Sequence, residues 1–145
     1  MRALFVTTAL TAVLAATSCS TEPGVIHART VDLHREASAD GEHLDAFVVR
    51  IAPRAIEASK AARATICGQV VESNGRFTIQ MKTDGYFSEC TLSQGASPYV
   101  LVNGTANDAR ENHFSQVNWQ RAGYLVTPWS VKYQDGTSKR PRTVR

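Results

Sequence analysis

Hydrophobic and polar positions along the chain alternate with three rhythms. Between Arg76 and Lys82 the alternation is strict: Phe77, Ile79 and Met81 point one way, and Arg76, Thr78, Gln80 and Lys82 the other. That period of two is the signature of a half-buried strand. Before it stands Asn74-Gly75, a dipeptide in which both residues tolerate positive φ, and before that a second apolar run from Thr65. The pattern predicts a hairpin with a two-residue turn, Val70 opposite Ile79 and Gly68 opposite Met81. "PRAIEASKAARA", 53–64, predicts a short helix: alanine-rich, with Pro53 suited to its first turn and Glu57 three residues before Lys60. "DAFVVRI", 45–51, is β-branched and aromatic and favours a strand, with a helical reading in competition because no breaker interrupts 43–52. "PYVLVNG" and "YLVTPWSVKYQDG" each predict a late strand, the second with Pro128 at an edge or bend. The stretch 105–123 fits neither period.

The first residues follow another pattern. A positive start at Arg2 precedes an apolar run, Leu4–Ala16, and no further charge appears until Glu22. The run is shorter than the roughly 20 apolar residues a spanning helix needs, and it fits the hydrophobic region of an export signal, 1–18. Two cuts fit. "Ala16-Thr17-Ser18" has small residues at both recognition positions for ordinary signal peptidase. "Ala16-Thr17-Ser18-Cys19" resembles the bacterial lipobox, although Ala16 stands where that class usually has Leu. The resemblance implies that the Cys19 thiol receives a diacylglycerol, that the chain is cut before it, and, with Ser20 following, that the product goes to the outer membrane and faces the periplasm. A secreted or soluble periplasmic protein is the alternative. The resemblance is confined to this segment.

Cysteine number then matters. The chain has three cysteines among 145 residues: Cys19, Cys67 and Cys90. In an exported protein an odd thiol needs an explanation. Acylation of Cys19 removes the oddity and leaves Cys67 and Cys90 to pair in an oxidising compartment. That pairing conflicts with a flat meander in which the strand after Asp84-Gly85 follows the hairpin. The two cysteines would then sit on second-neighbour strands about 9–10 Å apart, beyond the roughly 7 Å limit for a disulfide. The expectation is that the chain swings away at 83–86, so that Cys90 crosses the sheet or lies beside the strand of Cys67.

The formal charge is +3, but four of the last seven residues are basic: Lys139, Arg140, Arg142 and Arg145. With these and Arg2 removed, 19–138 is net negative. Basicity thus belongs to an end segment, read as a flexible tail drawn to acidic surfaces, and nucleic acid is not an expected partner. Residues 19–42 are polar with no clean period and read as a tether. The expected domain is 43–138, the tail 139–145, and the fold α+β: a small antiparallel sheet, a short alanine-rich helix and one disulfide.

Candidate chemistry is sparse. Histidines His27, His34, His43 and His113 lie seven, nine and seventy residues apart, not the three or four that sets two rings on one metal from a helix, so neither metal nor cofactor is expected. There is no Gly-x-Ser-x-Gly, and no glycine-rich run opens a helix. Aromatic residues gather in the later half, where Trp119, Trp129 and Tyr86 are candidate partner-binding anchors. The function expected is a non-enzymatic, envelope-tethered binding or accessory module, with an inhibitor or immunity protein as a variant, held to the membrane through Cys19 and recognising a protein or cell-wall partner. The alternative is a small thiol- or histidine-dependent enzyme using Cys67 or His113.

Overall fold

A computed structural model describes residues 30–86, 90–93, 95–106, 114, 120–137 and 140–145. The segment 1–18 read as an export signal, and also Cys19, His27, His113 and Trp119, lie outside them.

One helix packs on a seven-stranded sheet, which makes the fold α+β. The strands are β1 (Val31–Ala37), β2 (Ile66–Ser73), β3 (Arg76–Thr83), β4 (Tyr99–Val102), β5 (Ala122–Val126), β6 (Val131–Asp135) and β7 (Arg142–Thr143), and the helix is α1 (Leu44–Ala62). Spatial order is β1-β3-β2-β4-β5-β6-β7. Every pairing is antiparallel except β4 with β5.

The β2–β3 hairpin forms as its alternation demands. Asn74 and Gly75 take φ of 53° and 73°, and the register sets Val70 against Ile79 and Ser73 against Arg76. The apolar face of this pair, Ile66, Val70, Ile79 and Met81, joins Val100, Val102, Tyr124, Val126 and Val131 beneath the helix.

The helix is longer than its alanine-rich half. It begins at Leu44, takes in the apolar run 45–51 expected as a strand, and carries Pro53 in its interior instead of its first turn. The reason lies in the spacing of the residues it buries: Phe47, Val48, Ile51, Ala52, Ala55 and Ser59 recur at helical intervals and cover one face of the sheet. Burial of that stripe outweighs both β propensity and the missing Pro53 N–H, and Pro53 sits on the exposed side. At the far end Arg63 takes the left-handed conformation, φ 51°, and its N–H reaches the last-turn carbonyls.

The two ends of the expected domain are also drawn in. Residues 31–37, read as tether, form edge strand β1 against β3. A shift of register between Asp32 and His34 breaks the alternation that would have betrayed the strand. Its helix-facing side is polar: Glu36 receives Arg54 at 3.0 Å, and the following turn is tied by Arg50 to Glu42 at 2.8 Å. Within 139–145, read as a flexible tail, Arg142–Thr143 form β7 against β6. The single late strand 124–136 is likewise two strands, β5 and β6, with Pro128 in the turn between them.

Cys67 and Cys90 form a disulfide, with Cα atoms 5.9 Å apart. The chain leaves the sheet after Thr83, as the conflict between hairpin and bond required, and Cys90 belongs to no strand. The place beside β2 goes to β4. Cys67 is on the sheet face away from α1, where Tyr99, Leu125 and Phe114 make a second, smaller core.

Candidate functional site

The turn between β5 and β6 presents an aromatic ring to solvent. Thr127, itself buried, locks that turn: its N–H donates to the Ser130 carbonyl at 3.0 Å, and its Oγ1 accepts from the N–H groups of Trp129 and Ser130 at 3.3 Å. Pro128 fixes φ just before the tryptophan. Trp129 thus stands on a rigid turn yet remains 59% exposed. An aromatic side chain so held loses little conformational freedom when a partner covers it.

The ring borders an open cleft of about 300 Å³ between this turn and the outer side of α1. Ala52, Pro53, Ile56, Glu57 and Lys60 supply the helix wall, and Pro128, Trp129, Val131 and Arg145 the sheet wall. The sequence order explains the mixture: α1 buries one stripe, so its flank at Pro53, Ile56 and Lys60 faces outward beside the tip of the β5–β6 hairpin. Glu57 and Lys60 pair across one turn at 3.0 Å. The backbone after β7 closes one end, with the Val131 N–H donating to the Arg145 carbonyl at 2.8 Å. A larger hollow of about 490 Å³, beside the outer half of β2, is lined by Leu44, Val71, Phe77 and Pro98 among others and has no comparably exposed aromatic ring.

Two polar clusters border the α1 face, and both serve to hold segments together. Asp45, in the first turn of α1, accepts from the Tyr124 hydroxyl at 2.6 Å and from Arg142 at 2.9 Å, while Arg142 also meets its second oxygen at 2.8 Å. The Arg142 guanidinium lies 4.6 Å from the centre of the Tyr133 ring. This forked pair straps β7 to the helix start. The Arg142 hydrogen bond is the main cause holding the Asp45 carboxyl below its ordinary range, opposed by burial and aided by Tyr124. Burial, then the Asp45 bond, pushes the Tyr124 hydroxyl well above the usual tyrosine range. In the second cluster His34 lies 4.0 Å from Glu36. Its pKa is lowered by burial and by Arg54, against the pull of Glu36.

The residues singled out from sequence are scattered. Tyr86 is 51% exposed where the chain leaves the sheet, its carbonyl accepting from the Thr65 N–H at 3.0 Å; it lines neither hollow. Of Tyr86 and Trp129, it is Trp129 that borders one of these two hollows. Cys67 is fully buried and disulfide-bonded, so it offers no thiol. Among the described residues no three His, Cys, Asp or Glu side chains gather as a metal site, and no helix is long and apolar enough to cross a membrane. Sequence reasoning missed the helix wall of the cleft, because Ile56 and Lys60 acquire a role only when the β5–β6 turn is set beside them.

No protein-family model, curated protein or solved structure matches the chain. The fold and the cleft define its class: a small disulfide-bonded α+β domain with a preorganised aromatic edge.

Proposed function

We propose that the protein is an exported binding module, tethered to the bacterial outer membrane through lipid on Cys19 and facing the periplasm, that engages an envelope protein or cell-wall partner by its Trp129 edge. One observation carries the reading: a tryptophan locked on a rigid turn, left exposed, beside an open cleft with mixed walls. Exposed tryptophan is costly to leave in water and is over-represented among the residues that dominate recognition. The Cys67–Cys90 bond suits an oxidising compartment, and its formation leaves Cys19 as the remaining cysteine, as acylation requires. The thiol-enzyme reading loses its nucleophile to the same bond.

Two measurements test this. Mass spectrometry of the natural product is expected to find a chain that begins at an acylated Cys19 with Cys67 and Cys90 oxidised; an uncut leader or a free Cys19 refutes the anchoring. Capture of partners from native envelopes is expected to fall when Trp129→Ala replaces the wild type, with the fold unchanged by circular dichroism. Equal capture by the two refutes the binding edge. Trp119→Ala, in parallel, asks whether the other tryptophan belongs to the same surface.

A further inference from the structure

We infer that the Trp129 cleft takes an acidic glycan, a chain of pyranose rings carrying free carboxylates. This rests on the binding-module reading above and adds the class of ligand. A pyranose ring in its chair form presents C–H groups across a face and hydroxyls around its rim. Its face matches an exposed indole, and covering the indole releases water from both surfaces. A peptide anchor calls for something else, a deep dry pocket that swallows a side chain. Here the aromatic residue is the protein's own, and the cleft beside it is open.

The walls supply what the rim of the ring requires. Glu57 accepts hydrogen bonds and Lys60 donates them, and both are well exposed, at 73% and 49%. Their mutual ion pair is a surface pair of small net value, so either can turn to a ligand at little cost. Lys60 and Arg145 are the cationic side chains along the lining, and a carboxylate on the ring can pair with either, which favours it over its neutral counterpart. The volume of about 300 Å³ is at the small end of ligand clefts, about 300–1,000 Å³, as suits a short stretch of an extended polymer.

The test is titration calorimetry on the mature full-length protein with two soluble probes: the N-acetylglucosamine–N-acetylmuramic acid disaccharide, and chitobiose, which has similar rings and no carboxylate. Both are expected to bind, the carboxylated one about threefold more tightly, the scale of one exposed charged contact. Trp129→Ala is expected to weaken both by about tenfold or more while leaving the melting curve in place, since the ring is largely outside the core. Lys60→Gln combined with Arg145→Gln is expected to erase the preference, weakening the carboxylated sugar more than chitobiose until the two bind alike. Absence of heat from either sugar at millimolar concentration, or unchanged binding by Trp129→Ala, overturns the inference. Envelope-protein capture in parallel separates the two claims. Silent sugars with Trp129-dependent protein capture sink the glycan and leave the binding module; silent sugars with capture indifferent to Trp129 sink both.

Discussion

Replacing Ser59 by Ala tests the principal junction between helix and sheet. Ser59 is fully buried in the last turns of α1. Its Oγ donates to the Ala64 carbonyl at 2.7 Å and accepts from the Gly104 N–H at 2.9 Å, so one hydroxyl closes the helix end and fastens the segment after β4. The approach is close: a Cβ on Gly104 would collide with the Ile56 carbonyl oxygen and press on Ser59. Loss of the hydroxyl leaves a donor and an acceptor in a dry site, and the space of one oxygen is too small to admit a water. Each stranded group costs about 1–3 kcal/mol. Alanine's better helix propensity returns less than about 0.7 kcal/mol. The net expectation is a loss of at least about 1.3 kcal/mol, a fall in Tm of about 5 °C or more for a domain of this size. Urea unfolding with the disulfide intact measures it, and the slope with denaturant is expected to stay constant. A loss below about 0.5 kcal/mol at constant slope would refute the reasoning, since it would mean that the Gly104 N–H and Ala64 carbonyl find other partners. Glu57→Ala, on the exposed side of the same turn, is the control, expected within about 0.5 kcal/mol of wild type.

Other consequences can be checked with the same unfolding assays. Reducing the Cys67–Cys90 bond, whose cysteines are 23 positions apart in sequence, is expected to cost about 3–4 kcal/mol by loop-closure entropy; an equal midpoint with and without reductant contradicts it. Gly123→Ala forces a methyl into the ring of Tyr99, which lies across that glycine to meet Gln134 at 2.7 Å, and the expected loss is about 1–3 kcal/mol; near-neutral behaviour rules out the close stack. Asp45 is held below its ordinary value, first by Arg142. Its folded pKa is depressed, so its contribution is present above the ordinary aspartate value of 3.8 and disappears as pH falls through the lower folded value. Asp45→Asn is therefore expected to be less stable than wild type near neutrality and to lose less stability on acidification through that range. Parallel pH profiles of the two proteins would disprove the assignment. Tyr124→Phe removes one hydrogen bond to Asp45 and is expected to cost about 0.5–1.5 kcal/mol and to raise the Asp45 pKa, followed by carboxyl NMR.

How much of the molecule could be foreseen depended on how local the deciding forces were. The Asn74-Gly75 turn and the alternation from Arg76 to Lys82 settle a hairpin with no help from the rest of the chain, because turn geometry and a period of two act over neighbouring residues. Cysteine arithmetic, joined to the geometric limit of a disulfide, required the chain to leave the sheet after Thr83, and it does. The segment 45–51 could not be resolved in that way: its β-branched residues suit a strand, and only the sheet beneath Phe47, Val48 and Ile51 makes the helix the better bargain. Edge strand β1 was hidden because a bulge breaks its alternation and because its helix-facing residues are polar ones that meet Arg54. Strand β7 was hidden by its charge, since Arg142 looks like a solvated tail residue until Asp45 and Tyr133 receive it.

The same division runs through the candidate site. Sequence alone marked Trp129 as an aromatic residue of interest beside Pro128, and set Glu57 and Lys60 one turn apart. It could not say that these face each other across a cleft, nor that Tyr86 stands apart from it. Periodicity, turn residues and covalent limits are properties of neighbours along the chain and can be read from it. The joining of α1 to the β5–β6 hairpin is a contact between residues some seventy positions apart, decided by the shape of a core to which the whole sheet contributes.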